Sequence, residues 1–150
     1  MTVGPHSEQD PAKRAMLLTA LYVAQEQYGY LSPEAVQRVA DRIGMPVRDV
    51  LETASFYSMY HTKPVGRHVL QVCEGLSCHL AGGAEDLLAY LRTKLRIEPG
   101  ETTRDGEFTL VSVQCLASCG TSPAMRVNDT LYENLTTDTV DMILQELRGG

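Results

Sequence analysis

The sequence predicts an α+β protein, with an N-terminal three-helix bundle followed by a mixed four-stranded sheet with flanking helices. Apolar residues recur at helical spacing in three consecutive stretches up to Ala54. After the turn Lys63-Pro64-Val65-Gly66 the hydrophobic period falls from about 3.6 to about 2. The remaining elements then run β-α-β-β-β-α. This order divides the chain into a polar tail over 1–10, a helical bundle over 11–62 and a sheet domain over 67–148.

The first helix opens at Asp10-Pro11, a side-chain cap followed by proline at the first helical position. Leu17, Leu21, Ala24 and Tyr28 form its stripe, and Gly29 stops it. Ser32-Pro33-Glu34 starts the second helix, which carries Val36, Val39, Ala40 and Ile43 and ends at Gly44. A third helix runs from about Pro46 with Val47, Val50, Leu51 and Ala54 on one face, and no good capping residue precedes it.

In the second half, His68-Val69-Leu70-Gln71-Val72 reads as a strand that leads into Cys73. A loop with Cys78 and Gly82-Gly83 follows, and then a helix marked by Leu87, Leu88, Leu91 and Leu95. Phe108 to Val113 is a second strand and leads almost directly into Cys115. Two short strands, Ala124 to Val127 and Leu131 to Glu133, surround the turn at Asn128-Asp129. The last helix is capped at Thr136 or Thr137 and carries Val140, Ile143, Leu144 and Leu147. A strand, helix and strand of these lengths imply a crossover that sets the first two strands parallel.

Thirteen Lys plus Arg against nineteen Asp plus Glu give a net charge of −6, which offers no general attraction to nucleic acid or anionic lipid. No apolar run approaches the about 18 residues of a membrane span, and the first fifteen residues resemble neither a secretory signal nor a transit peptide. The expectation is a cytoplasmic protein with no direct membrane insertion. In a reducing compartment disulfides are rare, so the four cysteines are candidates for chemistry.

Those cysteines are spaced Cys73-x4-Cys78 and Cys115-x3-Cys119. Each pair begins where a predicted strand ends, and parallel neighbouring strands would bring both pairs to one sheet edge. The loops between them hold small residues that let backbone N–H groups approach an anionic centre. Four thiolates suit an iron–sulfur cluster, one pair per iron in a [2Fe-2S] rhomb. A structural zinc on the same four cysteines and a pair of disulfides are the competing readings. His79 does not make a Rieske-type centre, which needs two histidines. His61 and His68 read as surface or packing residues, Tyr22, Tyr28, Tyr30, Tyr57 and Tyr60 as packing residues with a wet hydroxyl edge, and Met16, Met45, Met59, Met125 and Met142 as core filler. An exposed Phe56-Tyr57-Ser58-Met59-Tyr60 segment would instead be a docking surface. No nucleotide-binding or hydrolytic motif occurs, so no catalytic residue is assigned. A redox centre without a substrate pocket points to a one-electron carrier that works beside another subunit.

Several stretches together carry a resemblance: Gln27-Tyr28-Gly29-Tyr30-Leu31, Phe56 to Tyr60, Lys63 to Gly66, Val72-Cys73 through Cys78, Pro99 to Thr103, Cys115-Leu116, Cys119, Pro123 and Val127-Asn128-Asp129. From Leu21 to about Leu147 the chain resembles the thioredoxin-like [2Fe-2S] subunit of bacterial respiratory NADH:quinone oxidoreductase (complex I). The resemblance implies a thioredoxin-like ferredoxin domain over 67–148 whose Cys73, Cys78, Cys115 and Cys119 ligate one [2Fe-2S] cluster. It further implies that the N-terminal helices dock on the NADH- and FMN-binding flavoprotein subunit, which holds both of those cofactors, and that the larger iron–sulfur subunit of the peripheral arm is nearby. The chain would take single electrons from the flavin and have no substrate site of its own. Soluble NAD-dependent formate dehydrogenases and NAD-linked hydrogenases use a similar diaphorase subunit and are the alternative setting; a zinc-stapled scaffold is the alternative of another class.

Many members of that family carry glycine where this chain has Ala117, so a left-handed backbone there would strain the loop mildly. Two ferric ions, two sulfides and four thiolates sum to about −2. Glu74 adjoins the first cysteine and neither cysteine loop holds Lys or Arg, which predicts a low reduction potential.

Overall fold

The computed structural model describes residues 11–80 and 83–149, so the Asp10 cap, the 1–10 tail and Gly82 lie outside the described residues. The chain divides into two compact units, 1–64 and 65–150. Among the described residues no helix is long and apolar enough to cross a membrane.

The first unit holds α1 (Pro11–Tyr28), α2 (Pro33–Ile43) and α3 (Val47–Phe56). The Ser32 hydroxyl accepts the Ala35 N–H at 3.2 Å, and Gly44 closes α2 in the left-handed conformation that glycine tolerates best. Pro46 precedes α3 without a side-chain cap, as its sequence predicts. Leu17, Leu21, Val36, Val39, Ile43, Val50 and Ala54 form the buried core, whereas Tyr28 and Leu51 fall on the solvent side of their helices. The segment after α3 folds back along α1: Tyr60 donates its hydroxyl to the Leu18 carbonyl at 2.7 Å, and the Gln25 side chain bonds both Met59 O and His61 N. Tyr60 is thereby buried, but Phe56, Tyr57 and Met59 are left in solvent. Met16 and Met142 are also exposed, so only Met45 and Met125 of the five methionines read as core filler are buried.

The second unit holds β1 (His68–Cys73), α4 (Leu76–Leu80), α5 (Ala84–Leu95), β2 (Phe108–Val113), β3 (Met125–Val127), β4 (Thr130–Tyr132) and α6 (Thr137–Gly149). Its sheet has the order β2-β1-β3-β4. β1 pairs parallel with β2, His68 opposite Phe108 and Cys73 opposite Val113, and antiparallel with β3. α5 lies between β1 and β2 in sequence, the crossover that a parallel pair requires. Leu87, Leu91 and Leu95 of α5 and Val140, Ile143 and Leu144 of α6 join Leu70, Val72, Phe108, Leu110 and Met125 in one core.

β1 is buried on both faces. Its buried polar residue, Gln71, is satisfied by Arg126, which donates Nε–H to its Oε1 at 2.7 Å. Asn128 turns the β3–β4 hairpin and also binds β1, accepting the Val69 N–H at 2.9 Å through its side chain. Thr136 caps α6, its hydroxyl accepting the Thr139 N–H.

Gly83 sets the start of α5 against the chain that enters β3. A Cβ there would lie 2.1 Å from Pro123 Cγ, so only glycine permits this approach. Gly83→Ala is expected to lower unfolding free energy by about 1–3 kcal/mol, the usual cost of overpacking. Urea denaturation followed by circular dichroism measures it, and an unchanged midpoint would show that Pro123 yields freely.

Candidate metal centre

Both cysteine pairs leave the same edge of the sheet. Cys73 is the last residue of β1 and sits opposite Val113, the last residue of β2, and Cys115 follows two residues later. The Glu74 N–H donates to Val113 O at 2.8 Å and the Cys73 N–H to Ala124 O at 3.2 Å, so the loop mouths are tied to one another and to the residue before β3.

Cys78 lies on α4, a single helical turn in what the sequence shows only as a loop. That turn brings its sulfur to 3.4 Å from Cys73 Sγ, and both are buried. Cys115 and Cys119 are exposed. Cys119 opens a short 3-10 turn to Thr121 and is near enough to Cys78 to act on it electrostatically. Among the described residues no three His, Cys, Asp or Glu side chains converge on one point at single-ion distances. The structure thus presents one tight pair and a second pair on the adjoining loop.

The donors around the sulfurs are mostly backbone. Burial raises the Cys73 thiol, but the N–H groups of Gly75 and Leu116 and the Cys78 thiol outweigh it and bring Cys73 below the ordinary thiol value. For Cys78 the Ser122 hydroxyl favours the thiolate, yet burial together with Cys73 and Cys119 moves it upward. The Ala117 N–H donates to Cys115 Sγ at 3.2 Å. Gly75 has no room for a side chain, since a Cβ would stand 2.8 Å from Gln114 O and 3.5 Å from Cys73 Sγ. Two pairs of thiols, with peptide N–H groups at Cys73 and Cys115 and a hydroxyl at Cys78, have a donor set that fits an anionic iron–sulfur centre.

A carboxylate holds the second loop. The Ser118 and Thr121 hydroxyls, on either side of Cys119, both donate to Glu133 Oε1, and these hydroxyls keep the Glu133 carboxyl below its usual range. Asn134 N–H adds a bond to Thr121 O at 2.8 Å. Glu133 and Ser122 carry no sequence signal, because neither stands at a ligand spacing. His61 is half-buried, and its burial lowers its affinity for a proton; neither His61 nor His68 joins the cysteines.

Ala117 has φ of 59°, the left-handed region in which a Cβ costs about 1–2 kcal/mol. The strain anticipated for this residue is present. Ala117→Gly is expected to stabilise the chain by about 0.5–1 kcal/mol, once the extra freedom of glycine in the unfolded state offsets part of the relief. Chemical denaturation of the metal-free protein measures it, and a destabilised variant would contradict the strain.

Comparison with known proteins gives the family of the chain. The family model "Thioredoxin-like [2Fe-2S] ferredoxin" matches residues 5–148. An NADH-quinone oxidoreductase subunit of Rhizobium meliloti is 41% identical over 140 residues, which span 93% of this chain and 83% of that protein. Its counterpart in the NADH-quinone oxidoreductase of Escherichia coli K12 is 37% identical over 143 residues, spanning 95% and 84% of the two chains. In Thermus thermophilus, an NADH-quinone oxidoreductase subunit is 42% identical over 139 residues, spanning 92% and 76%. A chain of the NAD+-reducing [NiFe]-hydrogenase in its H2-reduced state superposes with a TM-score of 0.75 over 87% of this chain, at 21% identity. This chain spans only 22% of that one, so the likeness is one of fold. With a family model matched along nearly its whole length and relatives that are subunits of an oxidoreductase complex, the chain belongs to the thioredoxin-like [2Fe-2S] ferredoxin family.

Proposed function

We propose that this chain is the electron-carrying subunit that sits beside the NADH- and FMN-binding subunit of an NADH:quinone oxidoreductase. The observation that carries the reading is the parallel pairing of β1 with β2, which delivers two cysteine pairs to one sheet edge. Cys73 with Cys78 and Cys115 with Cys119 would each hold one iron. When bound, a [2Fe-2S] cluster supplies a site that takes and returns one electron at a time.

The residues of the chain prepare that site. Gly75, Leu116 and Ala117 present N–H groups to sulfur, and the buried first pair is screened from water. The exposed second pair brings the ligand edge to the surface, where another redox subunit can approach. Relatives at 37–42% identity are NADH-quinone oxidoreductase subunits, whereas the hydrogenase likeness is one of fold at 21%, which favours the respiratory setting. The complex would place the chain in a peripheral arm on the cytoplasmic side, near a larger iron–sulfur subunit.

Surfaces of the helical unit support a docking role. Phe56 is 80% exposed, and Tyr57 and Met59 stand in solvent next to it. A groove of about 710 Å³ between α1 and α2, lined by Met16, Val23, Tyr28 and Val39 with Arg38 and Arg42, adds apolar area. The flavoprotein subunit is the occupant this reading assigns to these surfaces.

The deciding measurement is iron, sulfide and zinc content of anaerobically purified protein, with EPR before and after dithionite. The expected result is about two irons and two sulfides per chain and a rhombic S = 1/2 signal only after reduction. Zinc in place of iron, with no signal even after reconstitution, would overturn the carrier reading. In Cys115→Ser the spectrum should shift or the cluster be lost while the helical unit stays folded; an unchanged spectrum would remove Cys115 from the ligand set. Phe56→Ala is expected to weaken binding to the co-expressed flavoprotein subunit about tenfold or more, as for a buried aromatic anchor, with the cluster spectrum unaltered. Equal affinity, read by pull-down titration, would take Phe56 out of the interface.

A further inference from the structure

Ser122 stands just beyond the second ligand loop, yet its hydroxyl reaches the first. Its Oγ is 3.1 Å from Cys78 Sγ and 3.3 Å from the Cys119 carbonyl oxygen. One hydroxyl proton therefore has two acceptors. While Cys78 is a thiol, its S–H can donate to Ser122 Oγ and the Ser122 proton can go to Cys119 O. A metal-bound thiolate has no proton to give. At 3.1 Å, a hydroxyl turned away from such a sulfur would set its lone pairs against a negative atom, so the O–H turns toward it. That bond is charge-assisted and stronger than the alternative bond to a neutral carbonyl.

We propose that Ser122 is a positioning residue that donates its hydroxyl proton to the Cys78 thiolate and thereby raises the reduction potential of the centre held by the four cysteines. The proposal rests on the [2Fe-2S] reading above. Reduction adds negative charge, and a donor on a ligand sulfur stabilises the more negative state. Apart from the Cys78 thiol, which has no proton to give once it binds metal, the other donors found on these sulfurs among the described residues are backbone N–H groups, of Gly75 and Leu116 on Cys73 and of Ala117 on Cys115, and a substitution does not remove them. The Ser122 donor can be removed by a single substitution. The loop does not depend on Ser122 for its shape either, because the Ser118 and Thr121 hydroxyls anchor it to Glu133.

The test uses the full chain with its cluster, in wild type, Ser122→Ala and Ser122→Thr. Two quantities are read: the midpoint of a potentiometric EPR titration, and the exchangeable-proton couplings in ENDOR spectra of the reduced protein in H2O and D2O. The expected result is full iron content in all three, a more negative midpoint in Ser122→Ala with loss of one exchangeable coupling, and recovery of both in Ser122→Thr. A Ser122→Ala protein with the midpoint and couplings of wild type overturns the proposal. Should Ser122→Ala fail to hold a cluster, Ser122→Val against Ser122→Thr repeats the comparison at equal side-chain volume, and equal midpoints there overturn it too. A wild-type chain without iron overturns the carrier reading itself, so the two failures are distinguishable.

Discussion

The hydrogen-bonded register between β1 and β2 is the constraint on which the site depends. Cys73 and Cys115 are 42 positions apart in the chain, and no local preference could bring them together. Parallel pairing does so because it puts the carboxyl ends of both strands at one edge, with Cys73 opposite Val113. A one-residue slip would move Cys73 to the other face of the sheet and separate the pairs. Burial enforces the register: Leu70, Val72, Phe108 and Leu110 are fully enclosed and contribute to one core, so a slip would take the slipped strand's side chains out of that core. A hydrophobic core that contains none of the four cysteines therefore determines the sheet edge at which both pairs lie.

Much of this was legible in the sequence for a physical reason. Periodicity, capping and turn chemistry are local, and they located Ser32 and Gly44 around α2, the Asn128 turn and the strand ends that carry Cys73 and Cys115. What the sequence hid depends on contacts between distant residues. The α4 turn is five residues long, too short for a periodic signal, yet it sets Cys78 beside Cys73. Burial of Gln71 in β1 has no local signal, because the Arg126 that satisfies it lies 55 residues away. Tyr28 and Leu51 extend helical stripes by spacing alone, but the bundle is too small to cover them. Glu133 joins the site only through a loop that folds back to β4.

The electrostatics follow from the same architecture. Neither cysteine loop supplies a cation, and Glu74 adds a negative charge beside Cys73. Negative charge at the sulfurs is offset instead by peptide dipoles, whose positions are fixed by backbone that cannot take other shapes. Gly75 is held against Gln114 O, where any side chain would collide. Ala117 stays in the left-handed region despite its Cβ, because the turn there aims an N–H at Cys115. Peptide dipoles stabilise a thiolate without neutralising its charge.

The two compact units separate two requirements that conflict within a single core. A sheet edge that is to hold a metal centre needs fixed polar donors and screened sulfurs, and this one buries Cys73 and Cys78 beside such donors. A docking face needs apolar side chains left in water, which would weaken a core obliged to bury them. In the helical unit, Tyr60 and Gln25 close the segment 57–61 back onto α1 and so hold Phe56, Tyr57 and Met59 outward at little cost to packing. Exposure of Phe56 is thus built by hydrogen bonds and does not come from a failure of the bundle to fold. Under the proposed function, the helical unit that presents aromatic residues to solvent would supply the attachment to a partner subunit, while the register of β1 and β2 places the cysteines.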